Sequence, residues 1–416
     1  MNLLRRHPVA IALVVLLLVT AIHPLPSLVD AVTGSAPGDV ELDRPILYVL
    51  LAPLSNTLDA LTFFSLARAE WALGVWVLAS AAWGALRRSK TPGTPLTVRR
   101  RIGRALIGPL AIVLLAVAAV LLPRPVPRLR STDATGTVIN YHAHTETSHD
   151  GRPGWTLARM AAWHRRQGFD ATYVTDHNVV YDGSLPAPPG IGISVLPGVE
   201  WSVYRQHVIA IGPVAPLPRD SFGGTTARMT RIFDAIERQG ALSIASLPEY
   251  WRNHWDDLGA FVVAGVDGFE IVNCAPKPLA FPSSARREVL ARAAGHDLLV
   301  VGVSDNHGWG QVTCVWNVSR PGAQGFQTNR VYARPLALAQ GDWAPWNAPL
   351  SQPWLMLRSL SWSERISWLT WVIIILLYRA MPRRQGQSAG IGILARSVLV
   401  RPRKETTSAI PDQIPT

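Results

Sequence analysis

Only two cysteines, Cys274 and Cys314, occur in 416 residues, and no CxxC pair is present. Thiolate zinc sites are built on such pairs, so any metal site here must use imidazole and carboxylate. The two thiols suffice for one disulfide if the domain faces an oxidising compartment. Also lacking is any stripe of basic residues interleaved with aromatics, so the formal charge of +12 does not describe a nucleic-acid surface. The first apolar run, residues 9–22, has no clear small-residue cleavage site behind it, which favours an uncleaved helix over a removable leader. Charges inside the apolar runs are few beyond Asp59, and a transport pathway needs such groups.

The chain is 48% hydrophobic, and its apolar residues gather in runs near both ends. Residues 71–86 and 102–122 are each long enough to span a bilayer. Residues 366–378 are short but flanked by Trp362, Trp368 and Trp371, which suit a membrane interface. Residues 46–64 contain Pro53, Asn56 and Asp59 and can lie in the interface, re-enter or span. Much of the basic charge flanks these runs: Arg5, Arg6, Arg87, Arg88, Lys90, Arg99, Arg100, Arg101, Arg104, Arg383 and Arg384. The expected organisation is a membrane-anchor region at 1–130 with about three transmembrane helices. A soluble domain follows at 131–340, then a linker and C-terminal transmembrane helix at 341–381 and a disordered tail at 382–416. The positive-inside rule puts the loop between 86 and 102 and both termini in the cytoplasm. The protein is thus expected to be multi-pass, with the central domain on the extracytoplasmic side. Arg124, Arg128 and Arg130 pull weakly the other way.

The central domain alternates strand-like and helix-like segments. Strands are expected at 137–141, 171–175, 193–196, 207–211, 242–245, 269–272 and 298–303, and helices at 155–167, 226–239 and 284–294. Repeated strand–helix units imply an α/β fold with a parallel sheet, open or closed into a barrel.

Metal-type residues sit at the ends of these strands. His142 and His144 follow the first; two residues apart on extended chain, their side chains point the same way. Asp176 and His177 follow the next strand, Glu200 the one after, and His207 begins another. Asp305 and His307 close the last with the same two-residue spacing. The C-terminal ends of strands are where barrels and open α/β sheets build their sites. His7, His23, His164 and His296 lie on membrane flanks or helices and are expected to be structural. Asp267 and Asp297, before strands, are expected in turns.

In this arrangement the sequence resembles the polymerase and histidinol phosphatase (PHP) family. The opening motif is His142-Ala143-His144-Thr145, followed by Ser148-His149-Asp150-Gly151; then come Thr175-Asp176-His177, Gly198-Val199-Glu200 and Ser304-Asp305-Asn306-His307. The resemblance covers residues 138–309 and none of the apolar runs. It implies a distorted seven-stranded β/α barrel and a metal-dependent hydrolase. It further implies that His142, His144, Glu200 and Asp305 bind one metal, that Glu200 bridges to a second also held by His207, and that Asp150, His177 and His307 hold a third. The sequence departs from the family twice. His149 is an extra residue in the Ser-Asp-Gly motif, so either His149 or Asp150 is the ligand. Leu247-Pro248 replaces a His-Pro, which removes a second-metal ligand unless Glu249 or His254 supplies one.

Imidazole and carboxylate donors suit two or three zinc, manganese or iron ions. Such ions turn bound water into hydroxide and bind phosphate oxygens, so the implied activity is hydrolysis of a phosphomonoester or phosphodiester. Asp176 and His177 are the expected catalytic residues, Asp176 orienting His177 from behind. Arg205, Arg252 and Lys277 are near enough to strand ends to grip a phosphate. The expected partners are the lipid bilayer and a phosphorylated small-molecule, lipid-linked or nucleotide substrate, with no specific protein partner. The alternative is a non-catalytic metal-binding or ligand-sensing domain, which the loss at Leu247 favours. The charge asymmetry makes a direct prediction. Alkaline phosphatase fused after Arg130 is active, and fused after Lys90 inactive; the reverse pattern would put the central domain in the cytoplasm.

Overall fold

The computed structural model describes residues 7–86, 97–132, 135–181, 185, 188–203, 206–217, 226–254, 258–320 and 328–381. Arg5, Arg6, Arg87, Arg88, Lys90, Arg205, Arg383, Arg384, the 382–416 tail and the His254 side chain lie outside them.

The strands in chain order are β1 (Val29–Asp30), β2 (Val40–Asp43), β3 (Arg128–Ser131), β4 (Thr137–Asn140), β5 (Ala171–Val174), β6 (Ser194–Val203), β7 (Gln206–Ile211), β8 (Leu242–Ala245), β9 (Gly268–Asn273), β10 (Leu299–Val303), β11 (Val315–Arg320) and β12 (Thr328–Ala333). Ten of them form one sheet in the order β1-β12-β11-β4-β5-β6-β7-β8-β9-β10, and β2 pairs with β3 alone. The expected seven-stranded barrel is therefore corrected to a ten-stranded curled sheet. The expected parallel sheet is mixed: β6–β7, β7–β8, β4–β11, β11–β12 and β1–β12 are antiparallel. The physical reason is local. β6 and β7 are joined by only two residues, which permits a hairpin and no helical crossover. The β11–β12 hairpin then adds to the free edge of β4, and β1 to β12.

The curl brings β10 back to this added hairpin, where side chains bridge the seam. Asn317 donates to the Gly302 carbonyl at 2.6 Å and accepts from its N–H at 2.8 Å, while Asn329 donates to the Val300 carbonyl at 2.7 Å. The edge groups of β10 are thus satisfied without a ladder. The approach needs glycine: a Cβ on Gly302 would fall 2.2 Å from Val315 Cγ2. Inside the curl, Ile139, Tyr141, Ile209, Ile244, Val301 and Val303 form an apolar plug directly beneath the strand ends that carry the metal-type residues.

Helices cover the outside of the sheet. Leu157–Arg166 starts at Thr156, whose side chain accepts from the Arg159 N–H, and stops at Gly168 with φ +94°. Thr226–Glu237, Leu247–His254, Leu258–Val263 and Ser283–Gly295 follow. Cys274 and Cys314 are joined in a disulfide that ties the end of β9 to the start of β11.

Among the described residues, two helices, Leu66–Leu86 and Val98–Leu121, are long and apolar enough to cross a membrane; the sharply bent pair Pro345–Arg358 and Trp362–Ala380 is a third candidate. Pro8–Ile22 is apolar but shorter, and 46–64 forms two short helices, Ile46–Leu50 and Ala52–Thr62, with Tyr48, Asn56 and Asp59 buried. The first two candidates pack against each other closely enough that a Cβ on Gly84 would fall 2.2 Å from the Arg104 carbonyl oxygen. Their outer faces stay apolar and exposed, with Trp71, Leu78, Trp83, Leu106, Ile107 and Leu114 uncovered. Arg68 is buried at the start of the first and donates to Gln340, Asn347 and Ser351. Arg124 and Arg128 are paired, with Asp59 at 3.0 Å and Asp43 at 2.7 Å. A separate compact unit begins at Ile373, within Trp362–Ala380.

His164, on Leu157–Arg166, is fully buried. Its Nδ1 donates to the Met160 carbonyl at 2.9 Å, and its Nε2 lies 3.1 Å from Asn140 Nδ2. Burial lowers its pKa to about 4. The unfolded chain binds this proton more readily, so the stabilisation is complete above about pH 6.5 and is lost as pH falls through about 4. Thermal unfolding from pH 7 to 4 should therefore show the wild type losing about 3 kcal/mol more stability than His164→Gln; equal losses would contradict it.

Candidate metal centre

The site forms where strands run past their ladders. Beyond β4 and β10, Ala143 and Asn306 make an isolated parallel bridge. Asp305 N–H donates to the His142 carbonyl at 3.0 Å, and His144 N–H to the Asn306 carbonyl at 3.2 Å. This sets the His142/His144 pair beside Asp305 and His307. Beyond β5, His177 bridges Glu200 in the same way. Asp305 itself adopts φ +45° and Asn178 φ +57°, a left-handed backbone that Asp and Asn tolerate better than other side chains.

Glu200 lies within β6, and does not follow a strand as expected, because β6 runs on through Val203 to pair with β7. Its carboxylate, 1% exposed, collects four imidazoles. Oε2 lies 3.1 Å from His142 Nε2, 3.2 Å from His144 Nε2 and 3.1 Å from His177 Nδ1; Oε1 lies 2.5 Å from His207 Nδ1. Asp305 Oδ1 adds a second carboxylate 3.1 Å from His144 Nε2. On the other side, Asp150 Oδ2 is 3.1 Å from His307 Nε2 and 3.4 Å from His177 Nε2. All eight expected metal residues therefore meet in one cluster. His149 and Asp150 are both exposed and together form a donor triad with His177, so both stay candidates; Asp150 also reaches His307.

Four of the five histidines share a pattern, His177 being the exception with a carboxylate at each ring nitrogen: one nitrogen is held, and the other faces the carboxylates. His142 Nδ1 donates to Glu270 at 2.8 Å. His144 Nδ1 contacts Ser148 Oγ at 3.1 Å, His207 Nε2 contacts the Tyr250 hydroxyl at 3.0 Å, and His307 Nδ1 donates to the Asp305 carbonyl at 3.1 Å. Anchoring one nitrogen is how metal-binding histidines are aimed. The atoms left over fit a cation. His177 Nδ1, His207 Nδ1, His307 Nε2 and Asp305 Oδ1 are buried with no hydrogen-bond partner. Among the described residues, four triads of donor atoms, including His142/His144/Glu200, His177/Glu200/His207 and His144/His177/His307, are close enough to hold an ion.

The electrostatics agree. Burial opposes ionisation of Glu200 and Asp305, but the surrounding imidazoles overcome it and hold both carboxyls well below their usual range. Burial likewise opposes charge on His207 and His307, but Glu200 and Glu249 raise the first to about 10, and Asp150 and Asp305 the second to about 9. The carboxylates thus favour protons on His142, His207 and His307, while burial and the nearby His307 hold His144 below its ordinary value; divalent cations would displace such protons.

Asp176 stands apart from the donor triads. Its carboxylate accepts from the Thr145 N–H at 2.6 Å, the Thr145 hydroxyl at 2.7 Å and the Tyr181 hydroxyl, so it holds the loop after His144 in place. Its carboxylate is bound to these groups and not to the His177 ring, which it was expected to orient. Leu247 is buried in apolar core, 3% exposed. Glu249, two residues on, brings Oε2 to 3.4 Å from His207 Nδ1 and accepts from Lys277 at 2.9 Å. Lys277 is therefore paired, and Arg252 lies over the Trp251 ring.

Sequence reasoning passed over Glu270 and Asn273. Glu270 is fully buried behind His142 and also accepts from Ser246 at 2.7 Å; Asn273 donates to Asp305 at 3.0 Å. The signal was available: a glutamate inside the strand Gly268–Asn273, buried at every position, needs a partner.

No protein-family model matches the chain, and no curated protein matches it. Among solved structures, PsfC from Pseudomonas syringae PB-5123 is 17% identical with a TM-score of 0.36, over 53% of this chain and 98% of that one. An Endonuclease Q, in complex with a 27-mer duplex bearing an abasic lesion, is 13% identical with a TM-score of 0.32, over 45% of this chain and 53% of that one. The lesion-specific endonuclease PfuEndoQ from Pyrococcus furiosus is 12% identical with a TM-score of 0.28, over 46% and 54%. This chain thus matches about half the length of each endonuclease.

Glu270→Ala should leave the His142 ring free to turn and lower metal affinity by about 10–100-fold, measured by calorimetric titration of the metal-stripped protein. Unchanged affinity would show that Glu270 does not aim His142.

Proposed function

We propose that the chain is a metal-dependent phosphoesterase of the polymerase and histidinol phosphatase type, held at a membrane by its apolar helices. The observation that carries this reading is the single buried carboxylate of Glu200 on which His142, His144, His177 and His207 converge. His142, His144, Glu200 and Asp305 would hold one divalent ion. Glu200 and His207 would hold a second, with Glu249 in place of the ligand lost at Leu247. Asp150, His177 and His307 would hold a third. The nitrogen and oxygen donors suit zinc, manganese or iron. When bound, such ions polarise phosphoryl oxygens and acidify water.

The chain's own groups do the rest. Asp305 and Glu200, held ionised by the imidazoles around them, would supply negative charge to the cations. His177, whose Nδ1 faces Glu200 and whose Nε2 faces Asp150, stands between two of the proposed ion positions and is the proposed catalytic imidazole. Asp176 is a positioning residue that acts through Thr145 and Tyr181. The apolar plug closes the floor, so substrate must arrive at the strand ends.

The membrane placement rests on the exposed apolar faces of Leu66–Leu86 and Val98–Leu121, which water does not suit. Both helices meet the soluble domain at one end, and Arg99, Arg100 and Arg101 begin the second helix at the other. The positive-inside rule then sets the domain outside the cytoplasm, where the Cys274–Cys314 disulfide would persist. The proposed organisation is an anchor at 1–130, a hydrolase domain at 131–340 and a second anchor at 341–381. Within the first, β1 and β2 hydrogen-bond to strands that follow the long helices.

The buried Leu247 favours a second reading, a metal-binding sensor without turnover. Asp305→Ala should abolish hydrolysis of bis-p-nitrophenyl phosphate by the metal-loaded full-length protein and lower its metal content by at least one ion, read by elemental analysis. A wild type that is metal-loaded and inert on phosphomonoesters and phosphodiesters alike would leave the sensor reading.

A further inference from the structure

One cavity joins the metal centre to the apolar helices. It has a volume of about 460 Å³, and Asp150, Asp305 and His307 line one part of it. Leu66, Ala69 and Leu73 of the first long helix, with Ala116 and Val120 of the second, line another. That volume lies within the roughly 300–1,000 Å³ of ordinary ligand pockets. A second apolar cavity of about 240 Å³ shares Leu61 with it and runs on between the same helices past Trp76, Ile112 and Leu115.

The helices are fixed to the very loops that carry the site. Leu66 N–H donates to the Pro276 carbonyl at 3.0 Å, three residues beyond Asn273; Gly310 N–H donates to the Val120 carbonyl at 3.2 Å, three residues beyond His307. Gln311 Nε2 donates to the same Val120 carbonyl at 3.0 Å. The metal-binding end of the cavity is therefore held at the end of the helix pair, where a bilayer's headgroups would lie. The apolar end is lined by helices whose outer faces are uncovered.

A cavity with anionic metal ligands at one end and hydrocarbon walls at the other matches an amphiphile in the same orientation. We infer that the substrate is a phosphoester carried on a long hydrocarbon chain. The phosphate sits at the metal centre and the chain lies along Leu73 and Ala116, entering sideways from the bilayer. This rests on the phosphoesterase reading above and names its substrate class; a nucleic-acid end or free nucleotide would leave the apolar wall unused. In the reaction the oxygen of water bonds to phosphorus, the ester P–O bond breaks, and the departing oxygen takes up a proton.

The test uses the full-length, metal-loaded protein in detergent micelles with two diesters, p-nitrophenyl hexadecyl phosphate and p-nitrophenyl butyl phosphate. Release of p-nitrophenolate reports cleavage of the aryl P–O bond in both. The expected kcat/KM is at least about tenfold higher for the hexadecyl ester, the gain of burying roughly two methylene groups. Ala69→Phe and Ala116→Phe, on different helices, each fill the cavity; at least one should erase the preference while keeping the butyl rate, which also reports a folded site. Equal kcat/KM for the two esters in the wild type would overturn the inference and leave the phosphoesterase reading standing. A preference that survives both substitutions at an undiminished butyl rate would overturn it too, since it would then reflect concentration of the ester in micelles. Hydrolysis of neither ester would bring down the phosphoesterase reading and this one with it.

Discussion

The site depends on keeping Glu200 ionised inside the protein. A lone carboxylate at 1% exposure would cost several kcal/mol; here four imidazoles surround it, brought by three separate pieces of chain. β6 makes this possible by playing two parts. Its first residues, 194–197, lie parallel to β5, and residues 198–203 lie antiparallel to β7. Because Ser202 pairs with His207 and Glu200 with Ile209, Glu200 and His207 fall on the same face of the hairpin as diagonal neighbours. A wholly parallel sheet would have carried His207 away from Glu200. The mixed topology is thus part of the site's construction.

The opposite wall is built by main-chain continuation. The bridge between Ala143 and Asn306 lets two short motifs, far apart in sequence, act as adjacent strand ends. Asn140 reinforces it, accepting from the Ser304 N–H at 2.8 Å and donating to the His142 carbonyl at 2.8 Å. Glu270, Ser148 and Tyr250 then each hold one imidazole nitrogen, leaving the other to face inward. Positions of donor atoms are consequently set before any cation arrives, which lowers the ordering cost of binding one.

The apolar helices are not appended to this unit as a free tether. Arg68 is buried among Gln340, Asn347 and Ser351, and Asp59 meets both Arg124 and Arg334. Buried charges satisfied this way fix the helix ends against the strand-end loops, since breaking any one contact would strand a charge. The same fixation brings a hydrocarbon surface to the edge of an anionic, histidine-lined mouth.

Much of the centre was legible in the sequence because its donors come in local pairs. His142/His144 and Asp305/His307 each follow an apolar run at two-residue spacing, and on extended chain that spacing makes a common direction a local property. The apolar runs are equally local, and the helices Leu66–Leu86 and Val98–Leu121 appear where hydropathy placed them, extended at their starts by four or five residues. Glu270 stood out as a charge in an otherwise apolar strand, but its partner did not, because only the curl of the sheet puts it behind His142. The roles of Glu249 and Asp176 also depended on what lies opposite them in space. The strand count, the antiparallel pairs and the seam bridged by Asn317 and Asn329 are long-range hydrogen bonds with no local periodicity. Residue order alone thus determined which metal-type side chains the site carries and which segments are apolar. Tertiary structure decided how many strands enclose the site, which groups aim its ligands, and that its mouth opens toward the apolar helices, because these depend on contacts between residues distant along the chain.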